Sequence, residues 1–194
     1  MDTFFGVKSR DLAYVALFAA IVAVLGLLPP VPVPGLPVPI TAQTLGVMLA
    51  GSVLGAKRGG LALLVFLALV AMGAPILSGG RGGLGVFVGP SAGYLYSWPI
   101  AAFVIGVLTQ LSWRRFNLAW ALVANMVGGI VVIYALGIPF TSLYGDIPLW
   151  ASFTGSFAFI PGDLVKAVAA SLVAVAVRRA YPVIELPTRR ATAS

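Results

Sequence analysis

Apolar residues along this chain gather into six runs, and the stretches between them hold nearly all of the charge. The runs cover about 11–28, 41–55, 59–74, 91–111, 118–136 and 161–177. A helix that crosses a bilayer needs about 20 residues, within a range of roughly 17–25. The pattern therefore predicts six crossing helices. The second and third runs are short, and only the tight Lys57-Arg58 turn separates them. They read as a helical hairpin with some thinning or re-entrant character. The first run is too long for a cleaved signal, ends in Pro-Pro and lacks a small-residue cleavage site. No soluble domain and no repeat breaks the pattern, so residues 1–194 read as one transmembrane domain, all-α in class.

Composition sharpens this reading. Apolar residues make up 60% of the 194 positions and charged residues 9%, whereas soluble domains carry roughly 25% charge. A core of this size cannot bury so much apolar surface and still cover itself with polar groups. Lipid must be a large part of the solvent. The net charge of +7 also suits a nucleic-acid binder, but basic cytoplasmic loops produce the same excess in membrane proteins, so nucleic acid is not an expected partner. Cysteine and histidine are both absent. That removes disulfides, thiolate metal sites and the commonest general base. No acidic pair suits a metal, and no cofactor is expected.

The position of the charges orients the chain. Lys8 and Arg10 precede the first helix, Lys57-Arg58 join the second to the third, and Arg114-Arg115 join the fourth to the fifth. Arg178, Arg179, Arg189 and Arg190 follow the sixth. Six crossings put all four places on one side, which the positive-inside rule makes cytoplasmic, with both termini there and the chain multi-pass in the plasma membrane. Arg81 and Lys166 remain, both in the outer half. Orientation does not explain them.

The outer connections are unusual in their own right. "PPVPVPGLPVPI" at 29–40 holds six prolines, so it is stiff and extended, either a connector or a lid over an outward-facing pocket. The next, "GGRGGLGVFVGPSAGY" at 79–94, surrounds Arg81 with glycine. The third, 137–156, is long, aromatic and mildly polar, and reads as a loop with an interfacial helix.

Some motifs fail on context. Gly80-x-Gly82-x-x-Gly85 fits a dinucleotide fingerprint but joins two membrane segments rather than a strand and a helix. Gly89-x-Ser91-x-Gly93 fits a nucleophile elbow, yet no histidine exists to complete a triad. A Ser91–Lys166 pair is the one remaining catalytic arrangement. No Walker A motif is present. Gly51 and Gly55 are either a packing face or turn residues.

Two features pass. In "FIPGDLVKA" at 159–167, Pro161-Gly162 mark a helix start, Asp163 sits in its first turn, and Lys166 follows on the same face. The pair is either a stabilising salt bridge or, as ionisable groups in membrane segments commonly are, part of a ligand site. Arg81 offers a planar fork for a carboxylate, inside a loop whose glycines let backbone approach a ligand. Tyr94 opens the fourth helix nearby. Thr41, Gln43 and Thr44 open the second on the same side, with Thr41 a candidate N-cap. Together these residues suit a small amphipathic acid. On the first helix, Ala16 and Ala20, like Ala19 and Ala23, stand four apart. That spacing allows another helix to approach closely, inside the bundle or on a separate membrane partner.

Four stretches, "PVPITAQTLGVMLAG" at 37–51, "LGAKRGGLALLVFLAL" at 54–69, "GGRGGLGVFVGPSAGY" at 79–94 and "PGDLVKA" at 161–167, resemble in combination the BioY family, the biotin-binding S components of energy-coupling factor (ECF) transporters. The resemblance implies a six-helix membrane protein that binds biotin from outside. It also implies a transmembrane T component and two ATPases as partners, with the Ala16/Ala20 spacing similar to the docking surface of S components. Ser91 stands where many relatives are expected to carry threonine, which keeps the hydroxyl. Asp163 would accept a ureido N–H, and Lys166 or Arg81 would pair with the carboxylate. Two other classes stay open: a self-sufficient carrier and a membrane hydrolase using Ser91 and Lys166.

Overall fold

The computed structural model describes residues 9–184; Lys8, Arg189 and Arg190 lie outside the described residues. Six helices account for most of it. They are α1 (Ser9–Leu25), α2 (Gln43–Leu54), α3 (Ala56–Ala71), α4 (Ala92–Leu111), α5 (Leu118–Gly145) and α6 (Leu149–Ala180). There is no strand among the described residues, only two isolated bridges. By length and apolarity α4, α5 and α6 can each cross a membrane. Leu64, Phe103, Val131 and Leu172 are exposed on the outside of the bundle, as expected where lipid is the solvent.

α2 runs through the middle, packed by α1, α3, α4 and α6. It has 12 residues, about 18 Å of rise, against a hydrocarbon core of about 30 Å. It is therefore too short to cross such a core by itself, and the proline-rich segment leads directly into it. Irregular backbone at membrane depth is tolerated where it lines a cavity. Close packing elsewhere depends on glycine. A Cβ on Gly51 would lie 2.6 Å from the Ala102 carbonyl of α4, and one on Gly106 would collide with the backbone at the start of α3. Helices meet this closely in lipid because dispersion, not the hydrophobic effect, must hold them.

The boundaries differ from the expected ones where polarity misleads. Lys57 and Arg58 are not a turn; they belong to the first turn of α3. The joint is Gly55 alone, at φ 81°, a conformation open to glycine. α1 ends at Leu25 and α3 at Ala71, each three residues short of its apolar run. The long outer loop expected at 137–156 is mostly helix. α5 continues to Gly145, the chain reverses at Asp146 (φ 51°), and α6 begins at Leu149. Some of its hydroxyls bond back to helix carbonyls: Ser152 Oγ donates to Ile138 O at 3.0 Å, and Ser156 Oγ to Ser152 O at 2.7 Å.

Two local irregularities shape α5 and α6. α5 widens into a π turn at Val127–Val132, where Gly128 and Gly129 meet Ile105 and Met48. Such a turn resets the face that the rest of the helix presents. α6 tightens into a 3-10 turn at Ser156–Phe159 before its main rod from Ile160.

Deeper in the bundle, three helices share one polar network. Ser52 Oγ of α2 donates to Asn125 Oδ1 of α5 at 2.8 Å, and Asn125 Nδ2 donates to Ser171 Oγ of α6 at 3.0 Å. Asn125 is fully buried. Replacing Asn125 with Leu should lower stability in detergent by about 0.5–2 kcal/mol, and Gly106→Val should cost more because backbone must move. Thermal unfolding followed by fluorescence checks both, and a stabilised Gly106→Val protein would contradict this packing.

Candidate ligand-binding site

All six residues singled out as a site line one cavity, together with Thr44 and Ser91. It opens at the end of the bundle opposite the chain termini. The local sequence explains why they converge. The 3-10 turn delivers the first turn of the α6 rod to the cavity, α2 begins there at Gln43, and the 77–91 loop returns there to start α4.

The charged centre is a closed cluster. Lys166 Nζ donates to Asp163 Oδ1 at 2.9 Å, to Thr44 Oγ1 at 3.0 Å and to the Thr41 carbonyl at 2.7 Å. An ammonium has three donors, and all three are engaged. Asp163 is buried. Its Oδ1 also accepts from Thr44 Oγ1 at 3.3 Å, and its Oδ2 accepts from Tyr134 at 2.7 Å. Thr41 contributes through its carbonyl and is not the N-cap; Ala42 precedes α2 and no side chain caps it. With its N–H groups all donating, Lys166 has no lone pair with which to take a proton from Ser91. Ser91 Oγ instead accepts from Arg81 at 3.4 Å.

Aromatic rings form the wall beside this cluster. Tyr94, Tyr134 and Phe159 meet edge to face, with centroids 6.1 to 6.5 Å apart. Tyr94 also shares a 3.4 Å hydrogen bond with Ser156. Trp98 is buried behind them, against Phe66.

At the rim, the glycine loop closes on itself. Leu77 and Arg81 exchange backbone hydrogen bonds of 3.0 and 3.2 Å around Gly79 and Gly80, both at positive φ. Arg81 is exposed, and its Nε donates to Ser78 O at 3.3 Å. Among the described residues it meets no carboxylate. Gln43 holds this loop from below. Its Nε2 donates to the carbonyls of Val22 and Ile76, both at 3.1 Å, and its Oε1 accepts from Ser78 N at 2.9 Å. Gln43 thus touches the cavity but works mainly as a brace. Since Asp163 and Lys166 neutralise each other, the guanidinium leaves the cavity with one net positive charge.

The structure separates the alanines of α1. Ala19 is buried and Ala23 half-buried, whereas Ala16 and Ala20 are exposed on one face with Leu12 and Leu17. Tyr134, Trp98 and Phe159 were not foreseen as lining residues. Tyr134 was findable as the one polar side chain in "GGIVVIYALGI", and Phe159 adjoins the motif that carries Asp163.

Six helices, three of them long and apolar enough to cross a membrane, around a mixed polar and aromatic cavity at one end define an integral membrane protein with a candidate small-molecule pocket. Comparison with known proteins narrows this. A sequence profile of the BioY family matches residues 1–183. The biotin transporter BioY of Rhizobium etli is 50% identical over 94% of this chain and 99% of its own length. That of Rhodobacter capsulatus is 48% identical over 89% and 95%. The crystal structure of an S component for biotin from an ECF-type ABC transporter superposes with a TM-score of 0.84, at 35% identity, covering 88% of this chain and 91% of that one. The chain belongs to the BioY family, whose members are transporters and not enzymes.

Replacing Gln43 with Leu should orphan the Ile76 carbonyl and the Ser78 N–H, costing about 1–3 kcal/mol for each buried group left unpaired. The expected readouts are a lower unfolding temperature and faster proteolysis within 77–83. Unchanged proteolysis would show that the loop does not need this brace.

Proposed function

We propose that this chain captures biotin at the end of the bundle opposite its termini and delivers it inward as the S component of an ECF transporter. The relatives named above are biotin transporters, and the cavity's chemistry supports the same ligand here. Biotin has a carboxylate, a ureido group with two N–H donors and a carbonyl, and an apolar bicycle. Asp163 Oδ2 accepts from Tyr134 only, so it keeps a lone pair for a ureido N–H. The Tyr94, Tyr134 and Phe159 rings form an apolar bed for the bicycle. The carboxylate goes to Arg81. The observation that carries this assignment is that Arg81 has no acidic partner, whereas Lys166 is saturated.

Val38, Pro39 and Ile40 already form part of the cavity wall, so the proline-rich segment serves as its cover. With no Walker motif in the chain, a transmembrane T component and two ATPases supply the energy. The Ala16/Ala20 face of α1 docks on the T component, because small side chains let a foreign helix approach. The chain sits in the plasma membrane with both termini in the cytoplasm, where its basic joints belong.

Calorimetric titration of the purified chain should show one-to-one binding of biotin and none of riboflavin; no binding by a folded sample would overturn the reading. Arg81→Gln should weaken biotin roughly 10- to 100-fold, the range of a charge-assisted hydrogen bond, and leave biotin methyl ester nearly unaffected. Equal losses for both ligands would move the carboxylate away from Arg81. Ala16→Phe should leave titration unchanged while abolishing co-purification with the T component and uptake.

A further inference from the structure

A second site lies at the end of the bundle that carries the termini. We propose that the groove between the last turn of α4 and the first turns of α5 holds an anionic phospholipid, with its phosphate on Arg114 and Arg115. The groove is lined by Leu108, Leu111, Trp120, Val123 and Ala124, with Ser112 and the two arginines at its mouth. Leu111, Trp120 and Val123 are strongly exposed, although they sit next to the most basic joint of the bundle.

The arginines are presented by a built turn. Arg178, from the end of α6, donates to the carbonyls of Phe116 and Trp113, both at 2.6 Å, and lies over the Trp113 ring at 5.1 Å. This fixes the short 3-10 turn Trp113–Arg115. The Ser112 hydroxyl turns back to Leu108 O and so does not compete at the mouth. On the far side Asn117 caps α5 through Trp120 N at 3.0 Å. Two other cations at this end are occupied: Arg58 pairs with Asp11 at 2.8 Å, and Arg178 is bound to carbonyls. Arg114 and Arg115 have no acid and no acceptor among the described residues, and no acidic side chain lines the groove.

Charge and polarity together select the occupant. Adjacent guanidiniums favour a phosphodiester through forked hydrogen bonds. The apolar trough directly beside them takes an acyl chain. Basic pockets between membrane helices recognise anionic headgroups in this way. A soluble anion would satisfy the arginines but leave the trough uncovered.

Trp120 makes the site visible. The full chain is placed in phosphatidylcholine vesicles containing a few per cent of either brominated phosphatidylglycerol or brominated phosphatidylcholine, and tryptophan fluorescence is compared with a Trp120→Phe control. Brominated phosphatidylglycerol should quench the Trp120 component well beyond brominated phosphatidylcholine. The Arg114→Gln/Arg115→Gln protein should lose that excess, with lipid affinity falling on the order of ten- to thirtyfold, while biotin titration reports that it is folded. Should the double variant fail to fold, high salt added to the wild type should remove the same excess. Equal quenching by the two lipids, an excess that survives the substitutions or the salt, or displacement by millimolar inorganic phosphate alone would overturn the proposal.

Discussion

An ammonium group in the wall of the cavity governs the end of the bundle opposite the termini. Lys166 cannot sit there unless each of its N–H groups finds an oxygen, because leaving a charge unpaired in low dielectric costs far more than one hydrogen bond returns. Its acceptors come from three places in the chain: the end of the proline-rich segment, the first turn of α2 and α6 itself. Asp163 then recruits Tyr134 from α5. Meeting one electrostatic requirement therefore brings four parts of the chain together, and the cavity is the space they enclose. A buried pair of this kind adds little net stability; what it contributes is a unique arrangement of neighbours.

Helix α2 makes that arrangement fit. Were it long enough to cross by itself, its N-terminal turn would fill the cavity. Its shortness is paired with glycine-mediated contact to α4, so the helix is held firmly at its C-terminal end while its N-terminal end stops under the cavity. Gln43, at the stopping point, ties α1 and the glycine loop to the same level. Gln43 and Lys166 thus do related jobs with different chemistry: one organises neutral backbone groups, the other a charge.

Much of the site was readable from the sequence because membrane segments make polar residues conspicuous. Arg81, Asp163 and Lys166 stand out against apolar surroundings, whereas every other cation falls near the ends of the apolar runs. The number of helices follows from the same contrast. What could not be read depends on distance in sequence. Nothing near Tyr134 announces that the π turn and the packing of α6 bring its hydroxyl to Asp163. Nor does the sequence reveal that Lys166 is saturated and Arg81 is not, since Thr41 and Thr44 lie more than a hundred positions from Lys166. The helical C-terminal end of α5 and N-terminal end of α6 are hidden in the sequence because serine and threonine look like loop formers in water. Here Ser152, Thr154 and Ser156 return their hydroxyls to helix carbonyls and leave the helix intact.

The Thr41 carbonyl sits where the proline-rich segment, the cover proposed above, joins α2, and it is one of the three acceptors of Lys166. The cover therefore cannot swing outward at its root without stripping an oxygen from a charged group in a poorly polarisable medium. Such a step is a toll on motion in both directions. It slows capture and escape by the same factor and leaves the equilibrium between free and bound forms where it was. A solute held under such a cover stays for a long time without being bound more tightly, as the function proposed above requires.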